Sequence, residues 1–284
     1  MDDRLRSLWD FDDLAATEKR LREQLGHEAT DERRAEVLTQ LARVRGLHGD
    51  FDAGERLVNE AETTCGASQI ALARVDLERG RLRRSSGNVE AALPLFESAF
   101  ARSLEASNYF VAVDAAHMAA LAAPDRAGVV AWTERGIDLA EPHATAKYWL
   151  GPLLNNLGWA FYEAGEFERA LDAFQRALAA READSENRAA IEVARYAVGK
   201  TLRALGRPAD AVPLLEQATT WAIERGSPDG WFHEELAEEY AAIGRDDDAH
   251  EHARLALPLL LEADPSLADD AVRSAHLRKL AGEG

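Results

Sequence analysis

Apolar residues recur along this chain at helical spacing. In the stretch from Leu154 to Leu178, small and bulky apolar residues alternate at fixed offsets, with polar residues between them. Proline and glycine are confined to brief interruptions, and no alternating run of Val, Ile or Thr suggests a strand. Because apolar positions three and four residues apart form one face of a helix, the pattern predicts an all-α protein.

The same stretch contains a repeated pattern. Counted from Gly158, the positions +3, +7, +12, +16 and +19 hold Phe161, Gly165, Ala170, Phe174 and Ala177. Similar residues follow five further anchors, the copy at Ala115 being degenerate: Ala42, Gly80, Ala115, Gly199 and Ala237. Successive anchors are 35 to 43 residues apart, a spacing typical of stacked helical hairpins. The small residues allow two helices to approach closely, and the large ones fill the remaining space.

These residues resemble the tetratricopeptide repeat, and the segments LNNLGWAFYEAG and RALAARE are similar to the long repeat of the kinesin-light-chain type. The resemblance implies a right-handed superhelical α-solenoid of about six helical hairpins. We expect a single domain over residues 1–284, with a capping helix in 1–33, the hairpins in 34–262 and a second capping helix in 263–284. Capping helices are expected because the end repeats would otherwise expose apolar surface.

The first helix of each hairpin is expected to line a concave groove. Positions −3, +1 and +4 from each anchor share one helix face, because they are separated by four and three residues. The candidate groove residues chosen at these positions are Arg43, Arg81, Arg84, Ala116, Asn155, Trp159, Tyr162, Tyr196, Lys200 and Arg203. The cations and aromatic rings predict a site for an extended, acidic peptide or protein segment, anchored by an apolar side chain near Ala116 and Trp159.

Each group of candidate residues has an alternative interpretation. Trp159 and Tyr162 could pack as core between helices, and the alanines could mark tight helix packing. The arginines could pair with nearby glutamates such as Glu78 and Glu90.

The resemblance also implies a role for Asn155 and Asn156. In repeats of this type an asparagine on the inner face often binds the partner's backbone, since an amide both donates and accepts hydrogen bonds. Val193 and Ala197 stand where repeats that grip a terminal carboxylate carry cations. That form of carboxylate clamp is therefore not expected.

Charge and motifs narrow the function further. The chain has 33 basic and 51 acidic residues and a net charge of −18, which disfavours nucleic-acid or anionic membrane surfaces because phosphates need a positive field. The sequence carries no phosphate-loop, Rossmann, zinc-hydrolase or serine-nucleophile motif. His250 and His252 point about 200° apart on a helix and are expected to be solvated. We therefore expect no catalytic residue, metal or cofactor.

Cys65 is the only cysteine, no apolar run suits a membrane span, and the charged start does not resemble a signal peptide, so a cytoplasmic protein is expected. The leading hypothesis is a non-catalytic scaffold or adaptor that binds a protein or peptide. The alternative is a regulator that senses a peptide or small molecule and acts through a separate effector chain. A homodimer could form through exposed array ends, namely Trp9, Phe11, Leu277 and Leu280.

Overall fold

The computed structural model describes residues 3–184 and 187–283, and within these ranges it contains fourteen α-helices and no strand. The helices are α1 Leu14–His27, α2 Asp31–Leu47, α3 Phe51–Thr64, α4 Gln69–Ser85, α5 Val89–Glu105, α6 Tyr109–Ala122, α7 Arg126–Ala140, α8 Leu150–Glu163, α9 Phe167–Asp184, α10 Arg188–Ala204, α11 Pro208–Glu224, α12 Gly230–Ala242, α13 Asp246–Ala263 and α14 Ala271–Leu280. Short 3-10 helices lie at Arg6–Leu8, Ala144–Trp149 and Pro265–Asp269. The all-α prediction is confirmed.

The chain divides into two compact units, Met1–Leu157 and Gly158–Gly284, with the division inside α8. Unit 1 holds α1 to α7 and the start of α8, and unit 2 holds the rest. Helices α1 and α14 lie within the ranges predicted for the capping helices, and they pack on α2 and α13 respectively. A single domain over the whole chain remains a prediction.

Every predicted anchor lies on the first helix of a hairpin. In the described residues the hairpins are α2–α3, α4–α5, α6–α7, α8–α9, α10–α11 and α12–α13. The anchor glycine is required by close packing: a Cβ at Gly158 would lie 2.5 Å from ring atoms of Phe174. Gly165 has a φ of 73° and follows the last turn of α8, as expected for a glycine that ends a helix in the left-handed conformation.

The second helix of the third repeat does not follow the predicted register. The residues predicted to pack at +12, +16 and +19 are exposed instead: Ala127, Ala131 and Glu134. Trp132, one position later, packs against the core of unit 1. A Cβ at Gly136 would lie 3.4 Å from that of Ala116, and the residues that α7 buries are Thr133, Gly136, Ile137 and Ala140.

Among the described helices, none is both long enough and apolar enough to cross a membrane.

Candidate functional site

Unit 1 contains a small cleft of about 60 Å³, which we call the unit 1 cleft. Five of its lining residues are aromatic, and the others are charged apart from one glutamine. They are Asp3, Arg6, Trp9, Phe11, Gln40, Arg43, Arg74, Glu78, Phe110, Asp114, Tyr148 and Trp149. A concave site with an aromatic wall and a few polar groups is the usual form of a ligand pocket.

Helical spacing places the side chains of three inner helices in the cleft. Gln40 and Arg43 are three residues apart on α2, and Arg74 and Glu78 are four apart on α4. Residues three or four apart share a helix face, so each helix contributes a short stripe. Phe110 and Asp114 form the corresponding stripe on α6, and the 3-10 helix before α8 adds Tyr148 and Trp149. The floor of the cleft is therefore built from successive repeats.

The N-terminal residues 3–11, which we call the strap, form the opposite wall. The indole Nε1 of Trp9 donates a hydrogen bond of 3.0 Å to Oε1 of Gln40. Trp9 stacks on Phe11, with ring centroids 5.0 Å apart. The Arg6 guanidinium lies 3.6 Å from the centroid of the Tyr148 ring. The strap thus contacts both ends of the cleft, on α2 and on the 3-10 helix before α8.

Most charges at the cleft are paired. Arg81 forms ion pairs with Glu78 and Asp114. Although burial opposes it, the carboxylates of Asp114 and Glu78 raise the pKa of Arg81 above its usual range. Arg74 pairs with Asp3 and lies 3.2 Å from Glu36. These pairs join neighbouring helices and leave the two arginines neutralised.

Arg43 differs from these arginines. It is half-buried, and among the described residues it forms no ion pair; its contacts are with the rings of Trp9 and Phe11, at 5.0 and 5.4 Å from the centroids. Burial, and then the positive charge of Arg81, lower the pKa of Arg43 below its usual range. The charges of Glu78 and Asp114 act on Arg43 without a direct ion pair, so a carboxylate entering the cleft would give Arg43 a direct, charge-assisted contact.

The candidate residues predicted in unit 1 have different environments in the structure. Arg43 lines the cleft and Arg81 supports it, while Arg84 donates from Nε to the carbonyl oxygen of Leu121 at 3.3 Å. Arg81 follows the alternative interpretation, because Glu78 is its partner. Ala116 is 0% exposed, so it marks tight helix packing and cannot line an open hollow.

The two adjacent asparagines are both half-buried. Nδ2 of Asn156 lies 3.1 Å from Nδ1 of His117, within unit 1. Burial lowers the pKa of His117 to about 4, so this histidine is neutral near pH 7. Asn156 is therefore engaged by a neighbouring side chain, while a partner-binding role for Asn155 stays a prediction.

In unit 2, Trp159 and Tyr162 belong to an aromatic cluster. Trp159 packs edge-to-face on Phe174 and on Tyr162, with centroids 5.0 and 5.5 Å apart. Tyr162 in turn contacts Phe167 at 5.2 Å. Both residues are half-buried. These contacts support the alternative that Trp159 and Tyr162 pack between helices.

The remaining candidates, Tyr196, Lys200 and Arg203, lie together in unit 2. Lys200 Nζ is 2.9 Å from one oxygen of Glu235, and Arg203 Nε is 2.5 Å from the other. The Lys200 Nζ also lies 5.7 Å from the Tyr196 ring centroid. Despite its burial, the Arg203 hydrogen bond and the Lys200 charge lower the pKa of Glu235. The two cations are thus neutralised by this glutamate, which the sequence argument did not pair with them.

Beside this group, Glu239 is buried, with neither carboxylate oxygen hydrogen-bonded. Burial and the neighbouring charge of Glu235 raise the pKa of Glu239 to about 8. This carboxyl is therefore mostly protonated near pH 7.

Two further expectations are wrong. His252, expected to be solvated, is half-buried, and its Nδ1 lies 3.0 Å from Nδ1 of His233. The proposed dimer surface also changes: Leu277 is fully buried and Trp9 is half-buried, while Phe11 is 56% exposed. A homodimer remains a prediction, but Leu277 and Trp9 do not supply its exposed surface.

Most residues that line the cleft were not predicted from the sequence. The predicted position −3 holds Thr39, Leu77 and Ala112, all of which are buried in helix contacts. The cleft side chains Gln40 and Glu78 stand one position later, about 100° around the helix. Their polar character next to a buried apolar position was the available signal. Tyr148 and Trp149 lie outside the repeat pattern.

The tetratricopeptide repeat model matches residues 151–184. No curated protein has a sequence that matches the chain. Among solved structures, BtubC (BKLC) from P. vanneervenii is 18% identical with a TM-score of 0.62, over 79% of this chain and 93% of that one. The likeness in fold extends over most of both proteins.

A STAND protein with a tetratricopeptide repeat sensor, from Pyrococcus horikoshii, is 13% identical with a TM-score of 0.71, over 95% of this chain and 42% of that one. A Rap protein complexed with Competence and Sporulation Factor is 15% identical with a TM-score of 0.57, over 94% and 81%. At such low identities these likenesses show the fold, which is that of tetratricopeptide-repeat proteins.

Proposed function

We propose that this chain, a tetratricopeptide-repeat protein by its repeat at residues 151–184 and its fold, is a non-catalytic binding protein whose unit 1 cleft holds a peptide or protein segment. The observation that carries the proposal is Arg43, a half-buried cation without a carboxylate partner among the described residues, beside an aromatic wall. A ligand carboxylate would pair with Arg43, and an apolar ligand side chain would pack on the rings. The protein would act as a cytoplasmic scaffold or adaptor.

The cleft accounts for an acidic ligand better than the predicted groove does. Arg81, Lys200 and Arg203 already have carboxylate partners, so each would have to lose one contact to gain another. Arg43 would lose no ion pair. The apolar anchor also moves, from the buried Ala116 to the rings of Phe110 and Tyr148 in the cleft.

A ligand-responsive regulator is the second candidate. Aromatic rings and a few charged side chains line the unit 1 cleft, which is the kind of lining that small-molecule sites use. The repeats of the P. horikoshii protein are described as a sensor, and the Rap protein is complexed with Competence and Sporulation Factor. In this case the chain would act on a separate effector chain after filling the cleft.

Selection of peptides from a random library on the immobilised full chain tests the proposal. We expect the selected peptides to be rich in Asp and Glu, and to bind an Arg43→Gln variant at least about tenfold more weakly. The matched control is Arg225→Gln, which removes another ring-stacked arginine, 4.8 Å from Trp221 in unit 2. Equal binding to both variants would place the ligand elsewhere.

A small-molecule sensor would give a different result. The selection would return no acidic consensus, and a metabolite library would raise the melting temperature of the full chain. That rise should be lost in Arg43→Gln and kept in Arg225→Gln. A rise kept in both variants would exclude the cleft as the sensor site.

A further inference from the structure

The strap, residues 3–11, is bound to unit 1 in the manner of a ligand. Asp3 forms a buried ion pair with Arg74 on α4. Leu5 is 1% exposed and packs in the core of unit 1. Trp9 donates to Gln40 on α2 and lies under Arg43. Asp3, Leu5 and Trp9 thus each contact residues of the repeats.

The side chains that hold the strap are those a ligand would need. Arg74, Gln40 and Arg43 all line the unit 1 cleft. With the strap in place, Arg74 is neutralised by Asp3 and the Gln40 carbonyl oxygen is occupied by Trp9. Without the strap, Arg74 would keep Glu36 at 3.2 Å but lose Asp3, and the Gln40 oxygen would be open beside Arg43. The strap therefore forms one wall of the cleft and also covers part of the proposed binding surface.

The space left beside the strap is too small for an extended segment. A cleft of about 60 Å³ holds only a few water molecules, and an extended chain crossing α2, α4 and α6 would run through the positions of Asp3 and Trp9. Such a segment can lie along the inner helices only where the strap now lies.

The strap is held by contacts that another segment could replace. Its one regular element is a single 3-10 turn, Arg6–Leu8. Leu5 is its fully buried apolar residue, while Leu8 and Trp9 are half-buried and Phe11 is exposed. The buried Asp3–Arg74 pair recovers in Coulomb energy roughly what desolvation costs. A segment that offers the same groups would restore each contact.

We propose that the strap is an internal occupant of the unit 1 cleft, and that the partner is an extended segment of the same pattern, which displaces it. The partner carries a carboxylate for Arg74, a leucine-like residue two positions later and an aromatic residue six positions after the carboxylate, as do Asp3, Leu5 and Trp9, together with the carboxylate for Arg43 that the strap lacks. This proposal rests on the function proposed above. It makes binding self-limiting, because the tethered strap competes at high effective concentration.

A fluorescent peptide of the strap sequence DRLRSLWDF tests this directly. Its affinity is measured for the intact chain and for a chain carrying Asp3→Asn and Trp9→Ala, which weaken the strap but leave its receptor residues. We expect the weakened strap to raise the affinity at least about tenfold, because an internal competitor has been removed. The control Trp231→Ala removes a half-buried tryptophan of unit 2 and should leave the affinity unchanged.

A second pair of measurements guards against a folding defect in the variant. Hydrogen exchange on the unaltered chain should show loss of protection at the strap amides when the peptide saturates the protein. In the weakened-strap chain, Arg74→Glu should reduce affinity for the peptide, and a peptide with arginine in place of its first aspartate should restore it. Unchanged strap protection at saturation would overturn the proposal.

Equal affinity of the intact and weakened-strap chains for the peptide would also overturn it, since the strap would then be a fixed wall. That result leaves the proposed function standing if the library-selected acidic peptides still bind through Arg43. Loss of the Arg43 dependence would instead remove the proposed function itself.

Discussion

The guanidinium carbon of Arg43 lies 5.0 Å from the centroid of the Trp9 ring, and the cation has no carboxylate partner among the described residues. The two residues are 34 positions apart in sequence. Arg43 comes from the second helix and Trp9 from the strap, so the contact closes one end of the unit 1 cleft. The face of the indole ring stabilises a cation, but less strongly than a carboxylate would. The proposed binding of a carboxylate depends on this difference.

Replacing Arg81 by alanine should destabilise the fold strongly. The change leaves Glu78 and Asp114 buried without their cation, for which we expect a loss of about 3 kcal/mol in the free energy of unfolding. The matched control is Arg207→Ala, which breaks an exposed ion pair with Asp210 and should cost about 0.5 kcal/mol or less. Urea unfolding of both variants measures the difference; similar losses would show that the buried network is not a stabilising feature.

The anchor glycine of the fourth repeat should not tolerate a methyl group. At Gly158 a Cβ would lie 2.5 Å from ring atoms of Phe174, so Gly158→Ala should cost about 1–3 kcal/mol through overpacking. Gly26→Ala is the control, because a Cβ there meets nothing within 4 Å and alanine favours the helix. Thermal melts should move in opposite directions, and a stabilised Gly158→Ala would contradict the close approach of α8 and α9.

Replacing Trp159 by alanine decides between core and site. Because its ring contacts those of Phe174 and Tyr162, we expect a loss of about 2 kcal/mol in stability. Binding of the library-selected peptides, measured at a temperature where the variant is folded, should be unchanged. Weaker binding with unchanged stability would return Trp159 to the site and favour the groove first predicted from the sequence.

Glu239 should make stability depend on pH. The pKa of Glu239 is about 8 in the folded protein, against an ordinary value of 4.5 that applies to the unfolded chain. At a pH between these two values, the folded protein therefore holds a proton that the unfolded chain has released. The contribution of this group therefore falls as pH rises from about 4.5 to about 8. The Glu239→Gln variant should be more stable than the unaltered chain at alkaline pH. The difference in their free energies of unfolding should shrink toward pH 4.5.

The control for this series is Glu262→Gln, at an exposed position of α13. Its difference from the unaltered chain should stay small and flat across the same pH range. A gap for Glu239→Gln that does not change with pH would show that Glu239 is ionised in the folded state.

Local packing made the fold predictable from the sequence. The small anchor Gly158 and the large Phe174 are 16 residues apart within one hairpin, so one repeat contains both partners of the contact. Pairing of Arg81 with Glu78 was also visible, since they are three residues apart on a helix. The degenerate third copy failed because Ala115 and Ala116 are equally small and both fully buried. Position alone could not choose between them.

The site was less predictable because its contacts join distant segments. Asp3 meets Arg74 across 71 positions, and Arg81 meets Asp114 across 33. Helical periodicity restricts which residues share a face, but neighbouring residues point in different directions. Leu77 and Glu78 are both buried, and of the two only Glu78 lines the cleft. The strap lies outside the repeats, so the repeat pattern carried no information about where it would pack.

The measurement that tests the central claim most directly is a double-mutant cycle between Arg43 and the carboxylate of a library-selected peptide. Calorimetric titration gives four affinities, for the unaltered and Arg43→Gln chains with the acidic peptide and with its amide analogue. If the carboxylate binds Arg43, the two changes should couple by at least about 1 kcal/mol. If their effects add to within about 0.5 kcal/mol, the carboxylate does not meet Arg43 and the unit 1 cleft is not the binding site.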